Sequence, residues 1–316
     1  MQYHALSLAR AGHHVDFVGY DGARPMEDVL NNPNISLMHI QIPSQLTATS
    51  RAAFFVLAPL KIAYQIIGQL VVLHDKAPRH FRRLAVEELW KRLLKDPQLE
   101  PLQEMAAGNE SLLTCRGPDG TIEMRATRPM LIVSSTSWTA DEDFSIMLEA
   151  LELYDAKVAS QDAGGSDCAM LPPLAVLITG KGPLREHYEQ AISKMQLRQV
   201  RIATAWLSAE DYPLLLGSAD LGISLHTSSS GLDLPMKVVD MLGCGTPVCA
   251  YRFPCIHELV TDANGLVFDD AEELAQHIQD MAKSQHSGAG GLYQRLLQGA
   301  AAFRSVDWAT NYKRAL

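Results

Sequence analysis

Two hydrophobic periods alternate through the second half of the chain. Short aliphatic runs at 130–134, 174–179, 200–203, 221–225 and 246–250 have the pattern of buried strands, and the segments between them repeat apolar residues at helical spacing. Strand then helix, repeated in this way, predicts a Rossmann-like domain of five or six parallel strands. Its centre is residues 219–251, one βαβ unit. Leu221, Ile223 and Leu225 fit a strand, and Pro235 suits a first helical turn, where its missing N–H is no loss. Met236, Val239 and Leu242 recur at helical spacing, and Gly243 or Gly245 stops that helix before Thr246 and Val248. The loop Thr227-Ser228-Ser229-Ser230-Gly231 then runs from the carboxyl end of a parallel strand into a helix N-terminus, where open α/β sheets hold anions.

The first half is less regular. Residues 1–20 read as a helix stopped at Gly12 and a strand through Val15, Phe17 and Val18, and 35–42 alternate as a second strand. A chain entering on a helix reads as a doubly wound domain entered midway. Residues 52–73 are apolar over a length that would cross a bilayer. Pro59 interrupts them, and Lys61, Gln65 and Gln69 form a narrow polar stripe, which favours an amphipathic helix, buried or on a lipid surface. The basic stretch HDKAPRHFRRL reads as a solvated linker, 87–94 as a short helix and 109–127 as a surface loop.

Composition narrows the class. The 316 residues, 47% hydrophobic and 20% charged, suffice for two α/β domains. A net charge of -9 argues against broad nucleic-acid binding and leaves any anionic ligand to local cations and helix ends. The five cysteines, Cys115, Cys168, Cys244, Cys249 and Cys255, lack CxxC spacing, so neither a zinc site nor a disulfide framework is expected.

Candidate chemistry gathers at two strand-to-helix edges. Gly180-Lys181-Gly182 offers close backbone approach and one ammonium to a phosphate, without P-loop or dinucleotide-fingerprint spacing. The second edge runs through Ser229, Ser230, Gly231, Asp233, Pro235, Met236 and Lys237. Lys237 can hold a diphosphate, and Asp240, one turn further along the same face, can accept from ribose hydroxyls. Glu258 follows the next strand. Trp206 either packs or stacks on a base. Thr139 and Glu142 make a capping-box pattern for a helix through Leu153. The acidic triplet Asp141-Glu142-Asp143 therefore reads first as a helix start and second as a DxD metal motif.

The runs SSTSWTADEDF, ITGKGPL, AWLSAEDYPLLLGSADLG and SADLGISLHTSSSGLDLPMKVVDMLGCGTPVCA closely resemble the chitobiosyldiphosphodolichol β-mannosyltransferases of the dolichol pathway. The resemblance covers residues 125–316, and MQYHALSLARAGHHVDFVGY and VLHDKAPRHFRRL look like pieces of the family's amino-terminal domain. It implies an α/β protein of GT-B type: a complete Rossmann-like donor domain at 129–316 and an incomplete Rossmann-like acceptor- and membrane-side domain at 1–128. The implied reaction moves mannose from GDP-mannose to N,N′-diacetylchitobiosyl-diphosphodolichol, with inversion to a β-1,4 linkage, at the cytosolic face of the endoplasmic reticulum membrane. No cofactor or tightly bound metal is expected. Partners would be the two substrates, the membrane surface and other dolichol-pathway mannosyltransferases. Inversion needs a base near the acceptor hydroxyl, and His226, ending a strand at the cleft, is the candidate.

Departures from the family pattern leave a second reading. The chain starts beyond the family's membrane anchor and first strand, and passes from Leu73 straight to His74-Asp75-Lys76, where the family has a long acceptor-side stretch. Leu232 stands where the wider GT-B donor pattern has its first carboxylate, with Asp233 adjacent, while Asp240 keeps the second. A catalytically inactive, nucleotide-binding donor domain acting as a partner would look the same.

Overall fold

The computed structural model describes residues 2–10, 12–20, 24–40, 75–85, 113–164, 171–227, 233–286, 291–307 and 310. Residues 52–73 and 87–94, together with Cys168, Ser228, Ser229, Ser230, Gly231 and Leu232, lie outside them. The chain forms two compact units, Met1–Asp75 with Val306–Leu316, and Lys76–Ser305.

In the first unit a helix, Gln2–Arg10, leads into β1, Val15–Tyr20; a one-turn helix, Glu27–Leu30, then precedes β2, Ile35–Ile40. The strands pair in parallel, Val15 opposite Ile35. Gly12, at φ +91°, ends the first helix, with its N–H and that of His13 closing onto the carbonyls of Ala9 and Leu8. Ala5, Leu6, Ala9, Val29 and Ile35 form the small core.

The second unit opens on an antiparallel pair, β3 (Thr114–Arg116) and β4 (Ile122–Met124). Six parallel strands follow: β5 (Met130–Thr136), β6 (Leu174–Gly180), β7 (Val200–Ala205), β8 (Leu221–Ser224), β9 (Val248–Tyr251) and β10 (Gly265–Phe268). Their order across the sheet is β10-β9-β8-β5-β6-β7. Alternate β5 residues feed two cores, because successive side chains of a strand point to opposite faces. Met130 and Ile132 pack beneath the helices Phe144–Gly164 and Ala271–His286, while Leu131 and Val133 pack against Asp211–Ser218 and Met236–Gly243. Gly222 lets the last of these lie close, since a Cβ there would stand 2.5 Å from the Met241 sulfur. Of the two glycines expected to stop that helix, Gly245 has the left-handed conformation, φ +73°, and Thr246 N–H closes onto the Met241 carbonyl.

Three local expectations change. Residues 113–124 are not simple surface loop: Leu113 is buried and starts the β3–β4 hairpin. The basic stretch is more than a linker, because Phe81 and Leu84 are buried in the second core and Leu84 N–H donates to the Gly217 carbonyl. Phe81 and Leu84, interspersed among the charges, carry that packing, with Ala77 against the same core. The capping box does not form either. The helix begins at Phe144, Asp143 caps it by accepting from Ser145 N–H at 3.0 Å, and Glu142 turns inward.

Candidate functional site

Strand order reverses between β5 and β8, which makes their carboxyl ends the switch point of the sheet, where a crevice opens and ligands bind. Thr136, Ser137 and Trp138 leave β5 there, and His226 leaves β8, bridging to Glu142 through the backbone. The turn after β5 is tightly constrained. Trp138 adopts φ +49°, rare for a non-glycine residue, with its side chain buried on Phe144 and Tyr188. Gly180 and Gly182 press against the same turn: a Cβ would stand 1.9 Å from the Thr136 carbonyl at the first and 1.7 Å from the Ser137 carbonyl at the second. Both glycines are thus required by packing between two βα turns, whatever approaches them from outside.

Lys237, one residue into its helix, reaches across this turn. Its ammonium pairs with the buried Glu142 carboxylate and donates to Ser137 Oγ at 3.2 Å. Asp240, from the next turn of the helix, also reaches the end of β5, where Tyr212 links it to Ser135: the phenol lies 3.1 Å from Ser135 Oγ and 3.5 Å from Asp240 Oδ2. Burial pushes the Asp240 carboxyl up to about 7, with Tyr212 pulling the other way. This raised value has a consequence for stability. With an ordinary value of 3.8 when unfolded, the stability conferred by neutral Asp240 is complete below about pH 4, declines as pH rises, and is gone above about 7. Asp240→Asn should therefore gain on the wild type by about 2–3 kcal/mol between pH 5 and 8, the size expected from roughly two pH units of linkage. Urea unfolding of both proteins at the two pH values checks this, and a pH-independent difference would refute it.

His226 sits between two acids. Its Nδ1 is 3.6 Å from Asp141 Oδ2 and its Nε2 3.9 Å from Asp233 Oδ2, with a fifth of its side chain open to solvent. Asp141 lies below the ordinary carboxylate range, chiefly through the Thr139 hydroxyl, with smaller contributions from His226 and Lys237. Thr227 is tied to the Asp141 carbonyl at 2.7 Å, so the two loops meet. The acidic triplet consequently divides: Asp141 faces His226, Glu142 faces Lys237, and Asp143 caps a helix. It does not converge as a DxD site, and among the described residues no cluster of three His, Cys, Asp or Glu is placed to hold a metal.

Lys181 extends into solvent beyond β6 with its ammonium 4.5 Å from the centre of the Trp206 ring, a cation–π contact. Trp206 is 47% exposed, so part of its ring faces solvent. Pro235 precedes the helix Met236–Gly243, Met236 is exposed at its start, and exposed Glu258 lies in the 3-10 turn Ile256–Glu258 after β9, two strands from β5. Sequence reading left Glu142, Tyr212, Ser135 and Ser137 out of the site. Lys237 and Glu142 are 95 positions apart, and Tyr212 and Asp240 are 28, so no local pattern announces either pair.

The six-stranded parallel sheet with its central switch point is the architecture of the GT-B glycosyltransferase class. The chain matches the family described as Glycosyl transferases group 1 over residues 168–284. The crystal structure of Anabaena HepE in complex with UDP shares its fold, with a TM-score of 0.52 at 17% identity, over 82% of this chain and 60% of that one. Within the class, the chain belongs to the chitobiosyldiphosphodolichol beta-mannosyltransferase family. It is 49% identical to the Mus musculus member over 237 residues, 71% of this chain and 47% of the relative. It is 34% identical to the Yarrowia lipolytica member, over 84% of this chain and 72% of the relative. The chain spans about half the length of most of the curated relatives it matches.

Proposed function

We propose that the chain binds GDP-mannose at the β5–β8 switch point and transfers mannose to chitobiosyl-diphosphodolichol, forming a β-1,4 linkage with inversion. The observation that carries this reading is the convergence of Lys237, Asp240–Tyr212 and His226 on the carboxyl ends of two central strands. Each has a role. Lys237 and the helix N-terminus beneath it offset the charge that builds on the diphosphate as the bond from the sugar's anomeric carbon to the phosphate oxygen breaks. Asp240 accepts from ribose hydroxyls, Trp206 offers a face to the base, and Lys181 brings a second ammonium to the diphosphate. The acceptor oxygen attacks the anomeric carbon, His226 takes its proton, and GDP leaves with the electron pair of the broken bond. Asp141, 3.6 Å from one ring nitrogen, stabilises the imidazolium that forms. The ammonium groups and helix end serve where a metal would otherwise be needed. The lipid acceptor places the reaction at a membrane surface, by this reading the cytosolic face of the endoplasmic reticulum, beside other dolichol-pathway mannosyltransferases.

Leu232, standing where the wider GT-B donor pattern has a carboxylate, favours one competing reading, a donor domain that binds nucleotide without turnover and serves as a partner. Purified chain supplied with GDP-mannose and a short-chain chitobiosyl-diphospholipid, with parallel calorimetry of GDP and UDP, separates the two. Inverting transfer and preference for GDP support the enzyme. GDP binding without transfer supports the partner, and absence of both removes each reading. Lys181→Ala and Lys237→Ala should each weaken GDP binding by ~1–3 kcal/mol through lost charge-assisted bonds. Calorimetry showing unchanged affinity in both would withdraw the phosphate assignment.

A further inference from the structure

Glu142 is an unusual member of the site, a carboxylate only 1% exposed behind the cation assigned to an anionic ligand. One of its oxygens accepts from Thr136 Oγ1 at 2.6 Å and from Ser137 N–H at 2.8 Å; the other takes the Lys237 ammonium. Its backbone is bridged to His226. Thr136 Oγ1 in turn accepts from Trp138 N–H at 2.7 Å, which ties the left-handed residue of the turn into the same network. An ammonium has three N–H bonds. Glu142 and Ser137 Oγ occupy two, which leaves a third directed away from the pair.

We propose that Glu142 is the positioning residue of the donor-phosphate subsite, acting through Lys237. The inference rests on the diphosphate reading above and goes a step further, because on charge alone a buried carboxylate in this place would repel the ligand. Its benefit is geometric. A lysine side chain has four rotatable bonds, and fixing its head before the ligand arrives removes much of the ordering cost of binding. A carboxylate anchored by two further hydrogen bonds to a rigid turn is suited to that task. The same anchor links the phosphate-side lysine to the loop that holds His226, so the two halves of the reaction centre share one support.

Titrating GDP into the wild type, Glu142→Gln, Lys237→Met and the double variant tests this. Glu142→Gln should weaken binding about tenfold, the scale on which losing a supporting partner of a ligand-binding side chain is felt. The double variant should be no weaker than Lys237→Met alone, because a residue that works through Lys237 has nothing left to position. A purely structural contribution would instead multiply the two losses. If Glu142→Gln does not fold, Glu142→Asp carries the same cycle, keeping the charge but withdrawing it by one methylene. Affinity equal to or tighter than wild type in the Glu142 variant, or multiplied losses in the double, overturns the positioning role while leaving the diphosphate site intact. Wild-type protein that fails to bind GDP removes the site itself.

Discussion

Replacing His226 with asparagine is expected to slow mannose transfer ~10²–10⁴-fold, the usual worth of a positioned general base, while leaving GDP affinity unchanged. The imidazole stands at the end of β8 with carboxylates 3.6 and 3.9 Å from its two nitrogens. Both distances exceed a hydrogen bond, so neither nitrogen is committed to these acids, and Asp141 is close enough to stabilise the imidazolium that forms on proton uptake. Transfer rates measured across pH add a second reading. The limb reporting a base in the enzyme–donor complex should disappear in His226→Asn. If the histidine instead bonds the donor, GDP-mannose binding weakens and the pH limb survives. Wild-type rates in the variant would exclude both roles.

Asp220→Ala is expected to lower unfolding free energy by about 3–5 kcal/mol, as when one partner of a buried ion pair is removed. Asp220 lies at the opposite, amino end of β8 and joins four parts of the second unit. Arg128 grips it with two bonds of 2.5 and 2.7 Å, Leu131 N–H donates at 2.8 Å and the Tyr293 hydroxyl at 3.1 Å, with Arg83 within 3.9 Å. Burial alone would raise its pKa; the Arg128 bonds and charge nevertheless hold it below the ordinary range. The stability it confers is therefore present at neutral pH and lost on acidification. Alanine leaves a guanidinium, a backbone N–H and a phenol without their acceptor. Urea denaturation at pH 7 checks the figure, and a loss under about 1 kcal/mol would show that solvent replaces the carboxylate easily. GDP affinity at low denaturant should persist, because this network and the switch point lie at opposite ends of the strand.

The order of strands and helices from Met130 onward was readable from the chain because each element is a local statement. Period-two runs, period-3.6 runs and glycine or proline stops need no distant partner, and five of the six parallel strands follow them, while β10, Gly265–Phe268, was not read from the pattern. The glycines of Gly180-Lys181-Gly182 were visible too, although their reason was not: they clear the carbonyls of a turn more than 40 positions earlier in the chain. Trp206 illustrates the converse case. Its exposure depends on which edge of the sheet β7 occupies, and composition alone cannot decide that.

By itself, then, the sequence determined the alternating α/β architecture of the second unit, its family, and the two strand-to-helix edges that carry Lys181 and Lys237. Tertiary structure alone decided which charges meet. Crossing order brings β5 beside β8, and that juxtaposition pairs Glu142 with Lys237, Tyr212 with Asp240 and Asp141 with His226. Periodicity reports which face of an element is buried. Coulombic pairing and hydrogen bonding depend on distances of a few ångströms between residues far apart in the chain, and those exist only once the sheet has assembled.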